Sequence, residues 1–262
     1  MRTIITATAL VLLTAVLLSA VPVSAQQSTL QRILEAGEIR VGTTGDWNPM
    51  TVRDPATNAY KGFDIDVMTE LAKDLGVTLT FVPTEWKTLV SGMLAGKYDI
   101  STSASVTTSR IRTVGFTRSY YQVGTVPLTL KKNLTRFHTW EEIDRPDVRV
   151  AVTMGTSFEQ QVKRFFPQAK IKTVEAPARD FQEVLSGRAE VSITSNLEAS
   201  QLIHTYAQLA VIPVDNPRSP ADLAFITPQS DQVWINFLNH WITIKDNQGF
   251  FQELQEKWMP SN

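Results

Sequence analysis

Residues 98–110 read Tyr98-Asp99-Ile100-Ser101-Thr102-Ser103-Ala104-Ser105-Val106-Thr107-Thr108-Ser109-Arg110. The first five of these residues predict a strand, and the rest a hydroxyl-rich loop that ends on an arginine. Upstream, Ile39 to Thr43 and Thr78 to Val82 are β-branched runs of strand length. Between those runs, Met68, Leu71, Ala72 and Leu75 recur at helical spacing from Asp64 onward, and Gly76 supplies a C-terminal stop. Trp47 to Gly62, rich in Pro, Asp and Asn, reads as a loop or hairpin, and Trp86 to about Leu94 as a second helix ending near Gly96. Strand, helix, strand, helix, strand in that order predicts a parallel sheet covered by helices.

The same order recurs downstream. Val148 to Val152, Lys170 to Val174 and Glu190 to Thr194 read as strands, separated by helices over 156–166, closed by Pro167, and 180–185, ending at Gly187. Two such units predict two lobes. Val126 to Leu130 connects them as an extended segment, and 211–226, with Pro213, Pro217 and Pro220, returns the chain. From Asp231 the pattern is helical, with Val233, Trp234, Phe237, Leu238, Trp241 and Ile242 forming an apolar stripe of the kind a helix buries.

Residues 1–25 stand apart. Arg2 is followed by no charged residue until Arg32, and the apolar run from Ile4 to about Ala20 precedes Pro22 and the small residues Val23-Ser24-Ala25. This pattern predicts a secretory signal peptide cleaved after Ala25 and a soluble periplasmic product with no membrane insertion after cleavage. The chain has no cysteine, so disulfides, thiolate metal sites, a thiol nucleophile and a lipid-anchored cysteine are all excluded. Its 25 Lys+Arg against 26 Asp+Glu provide no bulk positive charge for a nucleic acid. His138, His204 and His240 lie far apart without metal-type spacing, and no metal is expected. No phosphate-binding glycine motif or GxSxG elbow occurs, so no cofactor is expected.

What remains lies beyond the C-terminal ends of predicted strands, the rim where open α/β sheets bind ligands. The hydroxyls of Ser103 and Ser105 with Arg110 fit a carboxylate clamp, or a solvated surface loop. Gly155-Thr156-Ser157 opens a helix and fits either an anion site or an ordinary cap. Trp47 and Trp86 fit either ligand stacking or packing.

These residues, with Arg40 to Asp46, Gly62-Phe63-Asp64-Ile65-Asp66, Phe116 and Tyr120-Tyr121, resemble the bacterial extracellular solute-binding proteins of family 3 over essentially the whole mature chain. The resemblance implies an α/β, type II periplasmic-binding-protein fold: two lobes, each a mostly parallel sheet flanked by helices, joined by a two-segment hinge. It places the first lobe at 26–125, the second at 126–218 and a return to the first at 219–262. It further implies a monomer that closes on a small carboxylate-bearing ligand, an amino acid or a keto or organic acid, and works with an ABC transporter permease. Arg110 would hold the carboxylate with Ser103 and Ser105, Trp47 and Trp86 would sandwich the ligand body, and Thr156 and Ser157 would close from the second lobe. Within the family, Thr44 to Pro49, Val82 to Trp86, Arg110-x-Arg112, Arg136-Phe137 and Ile143 to Pro146 resemble the cyclohexadienyl dehydratase branch. That branch implies an alternative, prephenate or arogenate dehydration without a cofactor, with Glu198 matching the general acid. Two departures stand out. Ser195 occupies the position where amino-acid binders carry an aspartate for the ligand ammonium, and Thr153 to Ser157 is shorter than the dehydratases' loop and lacks its asparagines.

Overall fold

The computed structural model describes residues 27–215 and 217–259; the expected signal peptide at 1–25 lies outside the described residues. The first half opens with α1 (Thr29–Ala36) and β1 (Glu38–Thr43), followed by the small antiparallel strands β2 (Asp46–Trp47), β3 (Thr51–Arg53) and β4 (Tyr60–Lys61). Next come α2 (Phe63–Leu75), β5 (Thr78–Pro83), α3 (Leu89–Leu94), β6 (Ile100–Ser105), α4 (Thr108–Ile111) and β7 (Gly115–Phe116). Gly62 before α2 has φ 135°, and a Cβ there would lie 2.4 Å from the Met50 carbonyl oxygen. Only glycine lets the β2–β4 hairpin pack this closely on the start of α2.

A long strand, β8 (Tyr121–Leu130), carries the chain into the second half: α5 (Trp140–Ile143), β9 (Arg149–Thr153), α6 (Ser157–Phe165), β10 (Lys170–Val174), α7 (Asp180–Leu185), β11 (Val191–Ser195), α8 (Asn196–Thr205) and β12 (Leu209–Val211). A second long strand, β13 (Arg218–Thr227), returns it, and α9 (Gln232–Asn247) and α10 (Phe250–Trp258) pack back on α1 and α2.

The main sheet has the order β10-β9-β11-β8-β13-β6-β1-β5, with β12 beside β8 and β7 beside β13. Strands β10, β9 and β11 are mutually parallel, as are β6, β1 and β5, while β8 and β13 run antiparallel to their neighbours and to each other. Within the main sheet the two halves are therefore joined through this central antiparallel pair. Each half has its own core. Phe63, Met68, Leu71, Trp234 and Leu238 anchor the first, and Phe137, Val150, Phe166 and Ile193 the second. This is the two-lobed α/β architecture that the alternation of elements predicts.

Four local expectations change. β6 runs to Ser105, so Ser103 and Ser105 sit on a strand and not in a loop. Its extension pairs with β13, where Leu223 faces Ser105 and Ala224 faces Ala104, a partner more than a hundred residues away. The return segment 211–226 is largely strand, because its prolines fall at the register break of β13 and before its start. Trp86 to Leu94 splits into a 3-10 turn over Trp86–Thr88 and α3. Val233 leaves the buried stripe of α9 and is 56% exposed.

Candidate ligand-binding cleft

The C-terminal ends of the parallel strands of both halves converge on a narrow cavity. Trp47, Trp86, Ser103, Ser105 and Arg110 line it from the first half, and Thr156, Ser157 and Glu198 from the second. Eight residues scattered over the sequence are thus brought into one site.

Arg110 sits in α4, a single turn capped by Thr107, whose hydroxyl accepts from the Arg110 amide. Its side chain points into the cleft and the residue is 7% exposed. One guanidinium nitrogen donates to the Ser105 carbonyl at 3.0 Å and the other to the Gly155 carbonyl at 3.1 Å, so it spans both lobes. Burial pushes its pKa down to about 10, which leaves it charged at neutral pH. Among the described residues no carboxylate pairs with it. A buried cation without a counter-charge is costly, and here the unfilled donors face a cavity.

Closure is shaped by Gly155. Its φ is 79°, and a Cβ would lie 2.3 Å from the backbone nitrogen of Lys87 in the opposite lobe. Ser157 donates to the Ser105 hydroxyl at 3.1 Å, Gln160 to Ser109 at 3.0 Å, and Lys87 pairs with Glu175 across the same seam. Gly155→Ala is expected to leave each lobe folded and to hold the lobes apart. Small-angle X-ray scattering should then give a larger radius of gyration than wild type; superimposable profiles would rule out this contact as the stop.

The two tryptophans do not form parallel plates. Their ring centroids lie 5.9 Å apart at 84°, edge to face, because Trp47 is buried in the first core and the Trp86 indole is tethered by donating to Asp46 at 3.0 Å. They make one apolar corner of the cavity and not the two facing plates that a sandwich requires. Thr156 caps α6, accepting from the Glu159 amide and donating to the Thr153 carbonyl at 2.7 Å. Its hydroxyl is therefore committed within the second lobe.

Glu198 lies in the first turn of α8 and is buried. Burial raises its pKa to about 7, aided by the charges of Asp180 and Asp46 and opposed by Arg179 and the Thr194 hydroxyl. Its two oxygens accept from Arg179 at 2.8 Å and from Thr194. Ser195 is not on the cavity wall. It is the N-cap of α8, accepting from the Glu198 amide at 3.0 Å, and it positions Glu198 instead of facing a ligand.

Arg179 is the residue that sequence reasoning missed. It precedes α7, and its guanidinium meets Glu198 at 2.8 Å, the Asp46 carboxylate at 3.2 Å and Asp180 at 3.9 Å, and donates to the Asp46 carbonyl of the other lobe. Burial pulls its pKa down, but the charges of Glu198, Asp46 and Asp180 outweigh that and raise it. Asp180 also lines the cavity, held by Thr153 at 3.0 Å, its pKa raised by burial. The available signal was a charged pair, Arg179-Asp180, just beyond a strand end.

A cleft between two α/β lobes joined by crossed strands, with a buried arginine spanning it, defines the type II periplasmic-binding-protein architecture. The chain belongs to the bacterial extracellular solute-binding proteins, family 3, whose model matches residues 39–261. Cyclohexadienyl dehydratase of Pseudomonas aeruginosa is 32% identical over 244 residues, 93% of this chain and 90% of that relative. An ancestral amino acid-binding protein, a precursor of cyclohexadienyl dehydratase, matches with TM-score 0.82 and 36% identity over 88% of this chain and 99% of that one. An ABC-transporter binding component from Wolinella succinogenes complexed with lysine matches with TM-score 0.79 and 30% identity, covering 86% and 97%. Family 3 membership makes this a solute-binding protein. Among the described residues no helix is long and apolar enough to cross a membrane.

Proposed function

We propose that the chain is a periplasmic receptor that closes on a small carboxylate-bearing solute and presents it to an ABC-type permease. One observation carries the reading. Arg110 is a buried cation in the cleft, bonded by carbonyls of both lobes and paired with no acid among the described residues. By contrast, Arg179 is surrounded by three acids. A ligand carboxylate supplies the counter-charge that Arg110 lacks. It also joins the lobes, because Arg110 already touches both. Trp47 and Trp86 offer the ligand body an apolar corner, and Ser105 and Ser157 meet across the seam. The lysine complex of the Wolinella protein and the amino-acid binding of the ancestral protein support a solute of amino-acid size. With Ser195 turned into a cap, an ammonium group would rely on Asp180 or Glu198 within the cavity.

A second reading, prephenate or arogenate dehydration, is favoured by Glu198, a buried carboxyl in the cavity whose pKa is raised to about 7, and by the dehydratase relative. Against it, Arg179 at 2.8 Å favours the ionised form of Glu198, which opposes its service as a general acid. The test is a thermal-shift panel of amino acids, keto acids and prephenate on purified protein, with prephenate turnover followed as phenylpyruvate. The receptor reading expects a shift from one carboxylate solute and no turnover. Turnover that disappears in Glu198→Gln would establish the enzyme instead.

A further inference from the structure

Ser103, which the resemblance places in the carboxylate clamp with Ser105, is held on the cavity wall by a hydrogen-bond ring. Ser103 interrupts β6 with φ 55°, a left-handed conformation that non-glycine residues seldom adopt. Its amide donates to the Tyr120 hydroxyl at 2.8 Å, Tyr120 donates to Asp64 Oδ1 at 2.9 Å, and the Ser103 hydroxyl donates to Asp64 Oδ2. The ring closes on a fully buried carboxylate in the first turn of α2. Asp64 makes no ion pair among the described residues; the polar side chains that face it are Ser103, Tyr120 and Thr102.

Proton accounting then fixes what Ser103 presents to the cavity. An ionised carboxylate only accepts, and Ser103 has one hydroxyl proton. While that proton is directed at Asp64, Ser103 Oγ offers the cavity lone pairs alone. Once Asp64 is protonated, its own O–H can donate to Ser103 Oγ, and the serine proton is released to point at a ligand.

We propose that Asp64 is a positioning residue that sets the hydrogen-bond polarity of Ser103: ionised, it selects a ligand group that donates there, and protonated, one that accepts. The proposal rests on reading the cleft as a carboxylate-solute site, and it adds how the ligand's second functional group is chosen. Burial pushes Asp64 up to about 6, while the bonds from Ser103, Tyr120 and Thr102 pull the other way, so the changeover falls close to neutral pH.

Two measurements test it. The first needs no ligand: the Ser103 amide resonance is followed by 15N NMR from about pH 5 to about pH 8, a window that brackets a raised carboxyl. Wild type should show a step centred near 6. Asp64→Asn should lose the step while keeping native dispersion elsewhere. Tyr120→Phe, which removes a donor that favours the ionised form, should move the step to higher pH and provides a test that does not depend on Asp64→Asn folding. A Ser103 amide that does not titrate, or a step that survives in Asp64→Asn, overturns the proposal. The second measurement compares L-phenylalanine with phenylpyruvate, which share carboxylate and ring but carry an ammonium or a keto oxygen on the α carbon. The ratio of their Kd values in wild type should change about tenfold between the two ends of that window, a size set by one hydrogen bond to a charged group. In Asp64→Asn the change should shrink, which separates Asp64 from Glu198. A constant wild-type ratio overturns the proposal. Where neither probe binds, the comparison is made with the amino acid that the thermal-shift panel identifies and its keto acid; a panel with no binder would overturn the solute reading, whereas the amide titration decides the ring independently.

Discussion

Arg110→Ala is expected to weaken binding of a carboxylate solute by about two to five kcal/mol, roughly thirty-fold to several thousand-fold, the usual cost of truncating one member of a buried charge pair. The loss has two parts. The ligand carboxylate is left in the cleft without its cation, and the carbonyls of Ser105 and Gly155 lose the donors that now satisfy them. Arg110→Lys should recover only part of the affinity. A lysine has one compact ammonium and cannot reach both carbonyls and a bidentate carboxylate together. Isothermal titration with the solute identified by the thermal-shift panel measures both variants. Unchanged affinity in Arg110→Ala would remove the carboxylate clamp from the receptor and enzyme readings alike.

Arg179→Ala is expected to act on the fold as well as the site. Removing the guanidinium strands Glu198 and Asp180 in a buried region, and breaking a buried pair in this way costs about 3–5 kcal/mol. For a chain of this size that corresponds to a fall in Tm of roughly 10 °C. The defect should depend on pH with a definite sign. The Glu198 carboxyl already titrates above its ordinary value of 4.5, at about 7, and Arg179 is a group that pulls it down. Without Arg179 it rises further. A carboxyl whose folded pKa exceeds its unfolded one makes the native state bind the extra proton, so its stabilising contribution is present at low pH and lost as pH rises through the folded value. The variant should therefore lie closer to wild type near pH 5 than near pH 8, measured by differential scanning calorimetry across that raised-pKa window. A defect of equal size at both ends would mean that lost packing, not stranded charge, is responsible.

The sequence made one class of site residue legible and hid another. Arg110 and Ser157 were legible as candidates because each follows a strand recognisable from β-branched runs, whereas Glu198 was singled out only through the resemblance to the dehydratase branch. Their meeting in one cavity follows from the strand order. Arg179 was hidden because its role depends on Asp46, 133 residues earlier in the chain, and its local signal was no more than a charged pair with Asp180 beyond a strand end. Ser103 was legible as a hydroxyl at the rim, but its donor is directed at Asp64, which the helical pattern alone could place only at the start of α2. The length of β6 was likewise underestimated, since local propensity ends at Thr102 while pairing with β13 carries the strand to Ser105. Local pattern revealed the elements. Which side chains oppose one another across the cleft depended on long-range pairing that no local window contains.

The register break in β13 has a mechanical consequence. Between Arg218 and Ala221 the ladder to β8 is interrupted, with Ser219 at φ 46° and Pro220 next to it, while regular pairing resumes on the Ala221 side. Bending stiffness is thus low at one line and high beside it, as in a leaf flexure. If the lobes move on solute binding as proposed, such a joint is expected to bend along that line. The lobes approach most closely where a Cβ on Gly155 would lie 2.3 Å from the Lys87 nitrogen. A solute too large for that approach is expected to hold the joint short of it, so the resting angle of the molecule would itself be a gauge of what it carries.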